Sequence, residues 1–496
     1  MPPRSRLSPT DRDFCTLVAR TAFTNPFGEE FPKLYRLLGG TPNPRDARRD
    51  AAEAVARRLE RAGLARLDRW SGEDRDTMQV VFLFDAYQRF YDSLEALVAG
   101  QISAGDPPVE VPFARDLLGF LRQRGFPADE ALRYFAIFFQ IRRAAHFIER
   151  GLIGRSPCMK ELRRQLWQNV FTHDMRRYER HLWNRMEDFS TMLLGETGTG
   201  KGTAAAAIGR SGFVPFDERK GRFAESFTRS FVALNLSQFP EALIESELFG
   251  HRKGAFTGAF EAHEGIFARC SPHGAIFLDE IGDVTVPVQI KLLQVLQERV
   301  FSPVGSRERV RFRGRVIAAT NHPLAELRAR GLFRDDFHYR LCSDTITVPP
   351  LRQRLREDSR ELDDLLESMI VRLIGEPVKE TVAAVRASLH ESVGRDYAWP
   401  GNVRELEQAV RRILLKRRYE GDERTAAPDR TSAFTSAIEA GSLDADALLG
   451  GYCALLYERC ANYEEVARRT GLDRRTVRKY LVHATRAQRK GVSANR

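Results

Sequence analysis

The sequence predicts a multidomain chain: an all-α N-terminal domain, a central α/β P-loop unit with a helical lid, and a C-terminal all-α helix-turn-helix. Three observations predict it. Apolar residues recur at spacings of three and four from Asp11 to about Glu149. Short β-branched runs ending in Gly-rich or acidic loops then alternate with helical segments, the mark of a mostly parallel sheet covered by helices. Helical periodicity returns near Ala447, after EGDERTAAPDRTSAFTSAIEAGSLDAD, a stretch poor in large apolar residues that reads as a linker. The expected divisions are 1–150, 151–348, 349–418, a linker over 419–446, and 447–496; a chain of 496 residues suits several domains of roughly 100–150 residues each.

Composition narrows the class. Hydrophobic residues at 43 % and charged residues at 29 % are ordinary for a globular chain and argue against wholesale disorder. Lys and Arg number 78 against 67 Asp and Glu, a net charge of +11 that favours a polyanionic partner such as nucleic acid. Six cysteines show no metal-ligand spacing and suit a reducing compartment. No run is apolar enough to span a bilayer and the N-terminus lacks a cleavable leader, so a cytoplasmic protein is expected.

In the N-terminal region, QVVFLFDAYQRFYDSLEALVAG and ADEALRYFAIFFQIRRAAHFIERG read as helices, broken at Pro107-Pro108 and Gly125-Phe126-Pro127. Phe135, Phe138, Phe139 and Phe147 could line a ligand pocket, but helix-spaced aromatics are expected to be core. The central runs TMLLGETGTGK, SFVALNLS, GAIFLDEIG, RVIAATN and DTITVPP are the expected strands.

The first of these carries the chemistry. Met192-Leu193-Leu194 opens into Gly195-Glu196-Thr197-Gly198-Thr199-Gly200-Lys201, followed by the small-residue helix Thr203 to Ile208. Glycines let successive backbone N–H groups converge on phosphate oxygens, Lys201 reaches the β and γ phosphates, and the helix N-terminus adds its positive dipole end. Gly202 stands where a Ser or Thr hydroxyl would meet Mg²⁺; Thr203, one residue late, is expected to face away from the metal and is grouped only with the nucleotide-binding residues. Asp279 and Glu280 end the apolar strand Ala275-Ile276-Phe277-Leu278, Asp279 suited to Mg²⁺ and Glu280 to polarising an attacking water. Asn321 ends a third strand, where an amide could sense the γ-phosphate.

From Gly154 to about Leu415 these residues resemble the AAA+ core of the sigma-54-dependent transcriptional activators, the bacterial enhancer-binding proteins. The most specific segment is Gly254-Ala255-Phe256-Thr257-Gly258-Ala259, an intact GAFTGA loop. The resemblance implies that this loop contacts sigma-54, with Phe256 and Thr257 at its tip. It also implies that Asn235 restrains Glu280 until the γ-phosphate is sensed, that Arg334 and Arg340 are presented to a neighbouring subunit's ATP, and that Arg404 reaches the nucleotide from the lid. Trans-acting arginines imply a homo-oligomeric ring, usually a hexamer in that family, with a dimer as an inactive form. ATP and Mg²⁺ are the implied cofactors, and sigma-54 RNA polymerase holoenzyme and double-stranded DNA the implied partners. Two insertions depart from the family, GFVPFDERKGRFAESFTRS after the P-loop helix and WQNVFTHDMRRYERHLWNRMEDF before the P-loop.

At the C-terminus, Ala461 to Leu481 fits helix, Gly-containing turn, helix. Asp473 is a natural N-cap, while Ala467, Leu472, Val477 and Leu481 can close a small core. The second helix would present Arg474, Arg475, Thr476, Arg478 and Lys479 to DNA, and the segment resembles the Fis-type helix-turn-helix. The function expected is an ATP-hydrolysing, DNA-bound activator of sigma-54 polymerase. The alternative, prompted by Gly202, is a DNA-binding regulator that uses nucleotide for assembly without efficient hydrolysis.

Overall fold

The computed structural model describes residues 6–38, 65–376, 378–394, 397–417, 443–460 and 462–481, with positions 50, 54, 57, 58, 60, 419, 434, 438 and 441. Most of the expected linker and the basic tail beyond Leu481 lie outside the described residues. Two compact units emerge, Met1–Tyr419 and Glu420–Arg496.

The first unit begins with helices α1 (Pro9–Phe23), α2 (Glu30–Leu37), α3 (Gly72–Arg89), α4 (Tyr91–Ala104), α5 (Ala114–Gln123), α6 (Ala128–Gly151) and α7 (Pro157–Phe171). Ser8 caps α1, its hydroxyl accepting from Asp11 N–H, with Pro9 in the first turn where its missing N–H costs nothing. Helix α6 is buried on nearly all sides, which places it at the centre. Phe135, Phe138 and Phe139 are core, and Phe147 packs partly buried against them.

Nine strands follow: β1 (Thr191–Leu194), β2 (Phe216–Asp217), β3 (Arg222–Phe223), β4 (Phe231–Asn235), β5 (Ala275–Asp279), β6 (Val300–Phe301), β7 (Val310–Arg311), β8 (Arg315–Thr320) and β9 (Asp344–Thr347). Five form a parallel sheet in the order β4-β5-β8-β1-β9; β2–β3 and β6–β7 are small antiparallel ribbons. Every strand of a parallel sheet ends on the same edge, so the P-loop after β1 and the acids at the end of β5 share that edge.

Helix α8 (Lys201–Gly209) follows the P-loop and packs between the sheet and α6. Its buried face is Ala204, Ala205 and Ala207, small enough to admit both neighbours closely. One hydrophobic core therefore runs from Val18 and Phe82 through Phe135 to Leu193, Phe277 and Ile317, with no break at residue 150. A second core fills the other sheet face around Leu278, Leu292 and Phe337. The lid helices Leu351–Glu357, Glu361–Ile374, Lys379–Val393 and Asn402–Lys416 close a third around Leu366, Ile370, Leu389, Trp399 and Leu406. No helix among the described residues is long and apolar enough to cross a membrane.

In the second unit, helices Ala445–Cys460 and Tyr463–Thr470 precede a turn at Gly471, in the left-handed region at φ 70°, and a helix over 474–481. Cys453, Leu456, Val466 and Val477 are its buried centre, with Ala467, Leu472 and Leu481 packed on them.

Candidate functional site

A cleft of 590 Å³ opens at the strand-end edge, a size suited to a nucleotide. Its wall contains Thr197, Gly198, Thr199, Gly200, Lys201, Gly202, Thr203, Asn235, Asp279, Glu280 and Arg404. Eleven residues singled out along 208 positions of sequence thus meet on one wall. Thr203, expected to face away, lines the cleft one helical step beyond the loop; the first turn of α8 presents both positions to it.

Lys201 is buried, and its Nζ donates to the carbonyls of Gly195 (2.8 Å) and Glu196 (3.2 Å), folding the side chain back over the loop. Burial pushes its ammonium below the usual lysine range, against the opposing pull of Glu280 and Asp279. Burial also raises the Asp279 carboxyl, opposed by Lys201 and Arg404. A divalent cation beside Asp279 would relieve that penalty. Among the described residues no group of three or more His, Cys, Asp or Glu is arranged as a metal cage.

Glu280 sits at φ 55°, in the left-handed region that few non-glycine residues occupy, with its N–H donating to Asp279 Oδ1 (3.1 Å). A conformation of this kind at a strand end turns successive side chains into one site at a cost in strain. The Glu280 carboxylate accepts from the backbone N–H of Asn321 (3.3 Å), while the Asn321 amide donates to Thr197 Oγ1 (3.0 Å) at the loop's rim. Asn235 reaches the cleft but its Oδ1 accepts from the N–H and hydroxyl of Ser237. The structure records no Asn235–Glu280 hydrogen bond.

Other expected residues lie elsewhere. The Glu196 carboxylate turns from the cleft to Arg352, which grips it with both terminal nitrogens, and to Asn402 Nδ2 (3.1 Å). Arg334 pairs with Asp336, and Arg340 donates to the Leu296 carbonyl (3.0 and 3.1 Å). Neither arginine lines its own chain's cleft.

Several residues that shape the site were not singled out from sequence. Asn402 is fully buried at φ 53°, accepts from Leu351 N–H (2.8 Å) and donates to the Thr197 carbonyl (3.1 Å), clasping the lid to the P-loop. Gly198, already read from sequence as part of the phosphate loop, must be glycine for a reason the sequence did not show: a Cβ there would stand 2.2 Å from the Gly401 carbonyl oxygen. Arg354 and Glu361 form a buried pair (2.7 Å) that holds the turn after α6: Glu361 accepts from the N–H groups of Arg155 and Ser156, and Arg354 donates to the Ile153 carbonyl. An asparagine tolerates positive φ better than most residues, so its place before a helix was the available signal for Asn402.

On the sheet's second-core side, the GAFTGA loop is a tight turn. Gly254 (φ 80°) and Gly258 (φ 101°) flank it, and Gly254 N–H donates to the Ala259 carbonyl (2.8 Å). Phe256 and Thr257 are exposed, the Phe256 ring resting edge-on against His251. The loop's base is tied by His251 and His263, which exchange backbone hydrogen bonds, and by Arg252, which pairs with Glu308 of the neighbouring ribbon.

In the second unit, Arg474, Arg475, Arg478 and Lys479 are exposed on one short helix, Arg474 within 3.2 Å of Glu464. The Asp473 carboxylate accepts from the N–H groups of Arg475 and Thr476, the cap expected from sequence. The Thr476 hydroxyl also donates to Asp473.

Residues 169–347 match the family described as the Sigma-54 interaction domain. The chain is 39 % identical over 273 residues to the Nif-specific regulatory protein of Azotobacter vinelandii, covering 55 % of this chain and 46 % of that protein. It is 43 % identical over 227 residues to the Sigma54-dependent transcriptional activator SfnR of Pseudomonas putida, covering 46 % and 57 %. With the transcriptional regulatory protein ZraR of Klebsiella oxytoca, identity is 35 % over 337 residues, covering 66 % and 67 %. The chain spans about half the length of the first two relatives.

Proposed function

The chain belongs to the sigma-54-dependent transcriptional activators, and from that membership we propose that it is an ATPase that assembles as a ring, binds upstream DNA and remodels sigma-54 RNA polymerase from the closed to the open promoter complex. The observation that carries this reading is a nucleotide-sized cleft gathering Lys201, Asp279, Glu280 and Arg404 in a chain whose GAFTGA turn stands exposed.

The P-loop N–H groups and Lys201 bind the triphosphate. Asp279 would hold Mg²⁺, which would neutralise phosphate charge when bound. Glu280 orients and polarises the attacking water; its backbone conformation fixes where the carboxylate points. Arg334 and Arg340 serve the cleft of a neighbouring subunit, where guanidinium stabilises charge developing on the transferred phosphoryl group. Arg404 and the Glu196–Arg352–Asn402 clasp tie the lid to the phosphate loop, so lid and loop move together when nucleotide changes. The exposed Phe256 and Thr257 meet sigma-54, and the helix over 474–481 meets DNA through Arg474, Arg475, Arg478 and Lys479.

Phosphate release by the purified chain with ATP and Mg²⁺ tests the site. Glu280→Gln is expected to cut turnover by ~10²–10⁴-fold while nucleotide still binds, and Lys201→Ala to weaken binding itself. Turnover unchanged in both overturns the assignment. Thr257→Ala is expected to leave hydrolysis intact and to stop open-complex formation on a sigma-54 promoter.

Gly202 favours a second reading, assembly on nucleotide without efficient hydrolysis. Saturable nucleotide binding with no phosphate release across a Mg²⁺ titration would select it.

A further inference from the structure

The N-terminal helices line a second cavity, of 210 Å³ and open on one side, that the ATPase reading does not use. It lies between the α1–α2 connection, α3, α6 and α7, and its wall is mainly aromatic: Phe27, Phe84, Tyr87, Phe138 and Trp167. An apolar cavity of ~150 Å³ in a protein core is known to take up benzene, so this one accommodates a single substituted ring.

The polar groups on the wall set the chemistry. Gln88 lines the cavity, and its Oε1 is buried with no hydrogen-bond partner among the described residues. A buried acceptor without a donor costs about 1–3 kcal/mol, which a ligand donor would recover. Two other wall groups have partners: the Tyr134 hydroxyl accepts from Gln79 Nε2 (2.6 Å) and donates to Glu179, and the Arg142 guanidinium is neutralised by the Glu95 carboxylate 2.9 Å away, though its Nε makes no hydrogen bond. Glu179 and Glu149 on the wall disfavour an anion.

Helix α6 connects this cavity to the nucleotide cleft. Tyr134, Phe138 and Arg142 face the cavity, whereas Gln140 and Arg143 on the same helix donate to the carbonyls of Ser211 (2.8 Å), Arg210 (2.9 Å) and Gly212 (2.7 Å), just past the end of α8. Arg143 is fully buried, and Gly151, the last residue of α6, is itself in the cleft wall beside Thr203. One rigid helix thus touches both sites and both ends of the helix that follows the P-loop.

We propose that the cavity binds an uncharged single-ring aromatic molecule carrying one hydrogen-bond donor, and that its occupancy alters nucleotide affinity through α6. The second half rests on the cleft being the nucleotide site; the first does not.

Calorimetric titration of the full chain with benzyl alcohol, toluene and benzoate, without nucleotide, tests the cavity. Benzyl alcohol is expected to saturate one site, toluene to bind ~3–10-fold more weakly for want of the donor, and benzoate not to bind. Gln88→Leu is expected to erase the preference for benzyl alcohol over toluene, and Ala145→Phe, which fills the cavity, to abolish both; the ligand-free thermal midpoint checks that each variant folds. No saturable binding of benzyl alcohol up to its solubility, or an intact preference in Gln88→Leu, overturns the site, and that comparison decides even if Ala145→Phe does not fold. Repeating a fluorescent ATP-analogue titration with benzyl alcohol present is expected to move the affinity by ~5-fold or more. An unmoved affinity overturns the coupling. Failure of the analogue to bind at all overturns the nucleotide site and leaves the calorimetric result standing.

Discussion

Gly202 is where the chain departs most plainly from a generic phosphate loop, and its surroundings explain why the departure is tolerable. The residue is exposed in the cleft wall, and a Cβ placed on it would meet only the Phe277 ring, at 3.9 Å, an ordinary contact. The missing side chain therefore fills no structural role; its absence only removes an oxygen from the neighbourhood of Asp279. A cation there would depend on Asp279, phosphate and water. Gly202→Thr is accordingly expected to fold normally and to lower the Mg²⁺ concentration for half-maximal hydrolysis by roughly 10-fold, the scale of gain for a supporting ligand. Hydrolysis measured across a Mg²⁺ titration checks it, and an unchanged midpoint would mean that the cation is already fully served without the hydroxyl. Glu280 is the opposite case, a residue whose strained backbone is kept because its position in the cleft requires it.

Among elements, the ribbon β2–β3 gains most from the structure. Its sequence reads as an insertion that departs from the family and could alter subunit packing or regulation; in the structure Phe223 stacks on Phe139 of α6 with ring centres 4.3 Å apart, and Phe216 lies 4.7 Å from Phe135. Val111 N–H adds a hydrogen bond to the Gly221 carbonyl. The insertion is thus a brace between the N-terminal helices and the parallel-sheet unit. Phe223→Ala is expected to destabilise the unit by ~3–5 kcal/mol in denaturant titration, while Arg219→Ala on the exposed turn stays within ~0.5 kcal/mol. Equal effects from the two would deny the brace. Sequence could not disclose this element because its partners lie some eighty positions earlier, whereas the P-loop was readable because its chemistry is contiguous. The lid clasp was hidden for the same reason, since Glu196 meets Arg352 and Asn402 across separations of 156 and 206 residues. Arg143 did leave a trace: an arginine set among helix-spaced aromatics asks what it pairs with, and the answer is three backbone carbonyls.

For the whole molecule, the decisive fact is what the cleft lacks. It has a phosphate loop, two acids and a lid arginine, but Arg334 and Arg340 are held elsewhere on the same chain, by Asp336 and by the Leu296 carbonyl. The proposed roles in hydrolysis, from these positions, require another copy, and a head-to-tail contact of that kind can close into a ring. Sequence suggested the roles through resemblance; geometry adds that neither group lines the cleft of its own chain in this arrangement. Two inactive variants then make a direct test. Arg340→Ala keeps an intact phosphate loop, and Lys201→Ala keeps an intact arginine. Mixed at equal concentration and assembled at random, about a quarter of the contacts join an intact loop to an intact arginine, the upper bound on recovered sites for a cyclic assembly. Phosphate release is therefore expected to rise from near zero for either variant alone to as much as about a quarter of the wild-type rate in the mixture, and to fall again on dilution below the assembly concentration. A mixture no more active than its parts would mean that Arg340 serves its own chain after a rearrangement of the segment around Leu296, and the ring would lose its catalytic rationale.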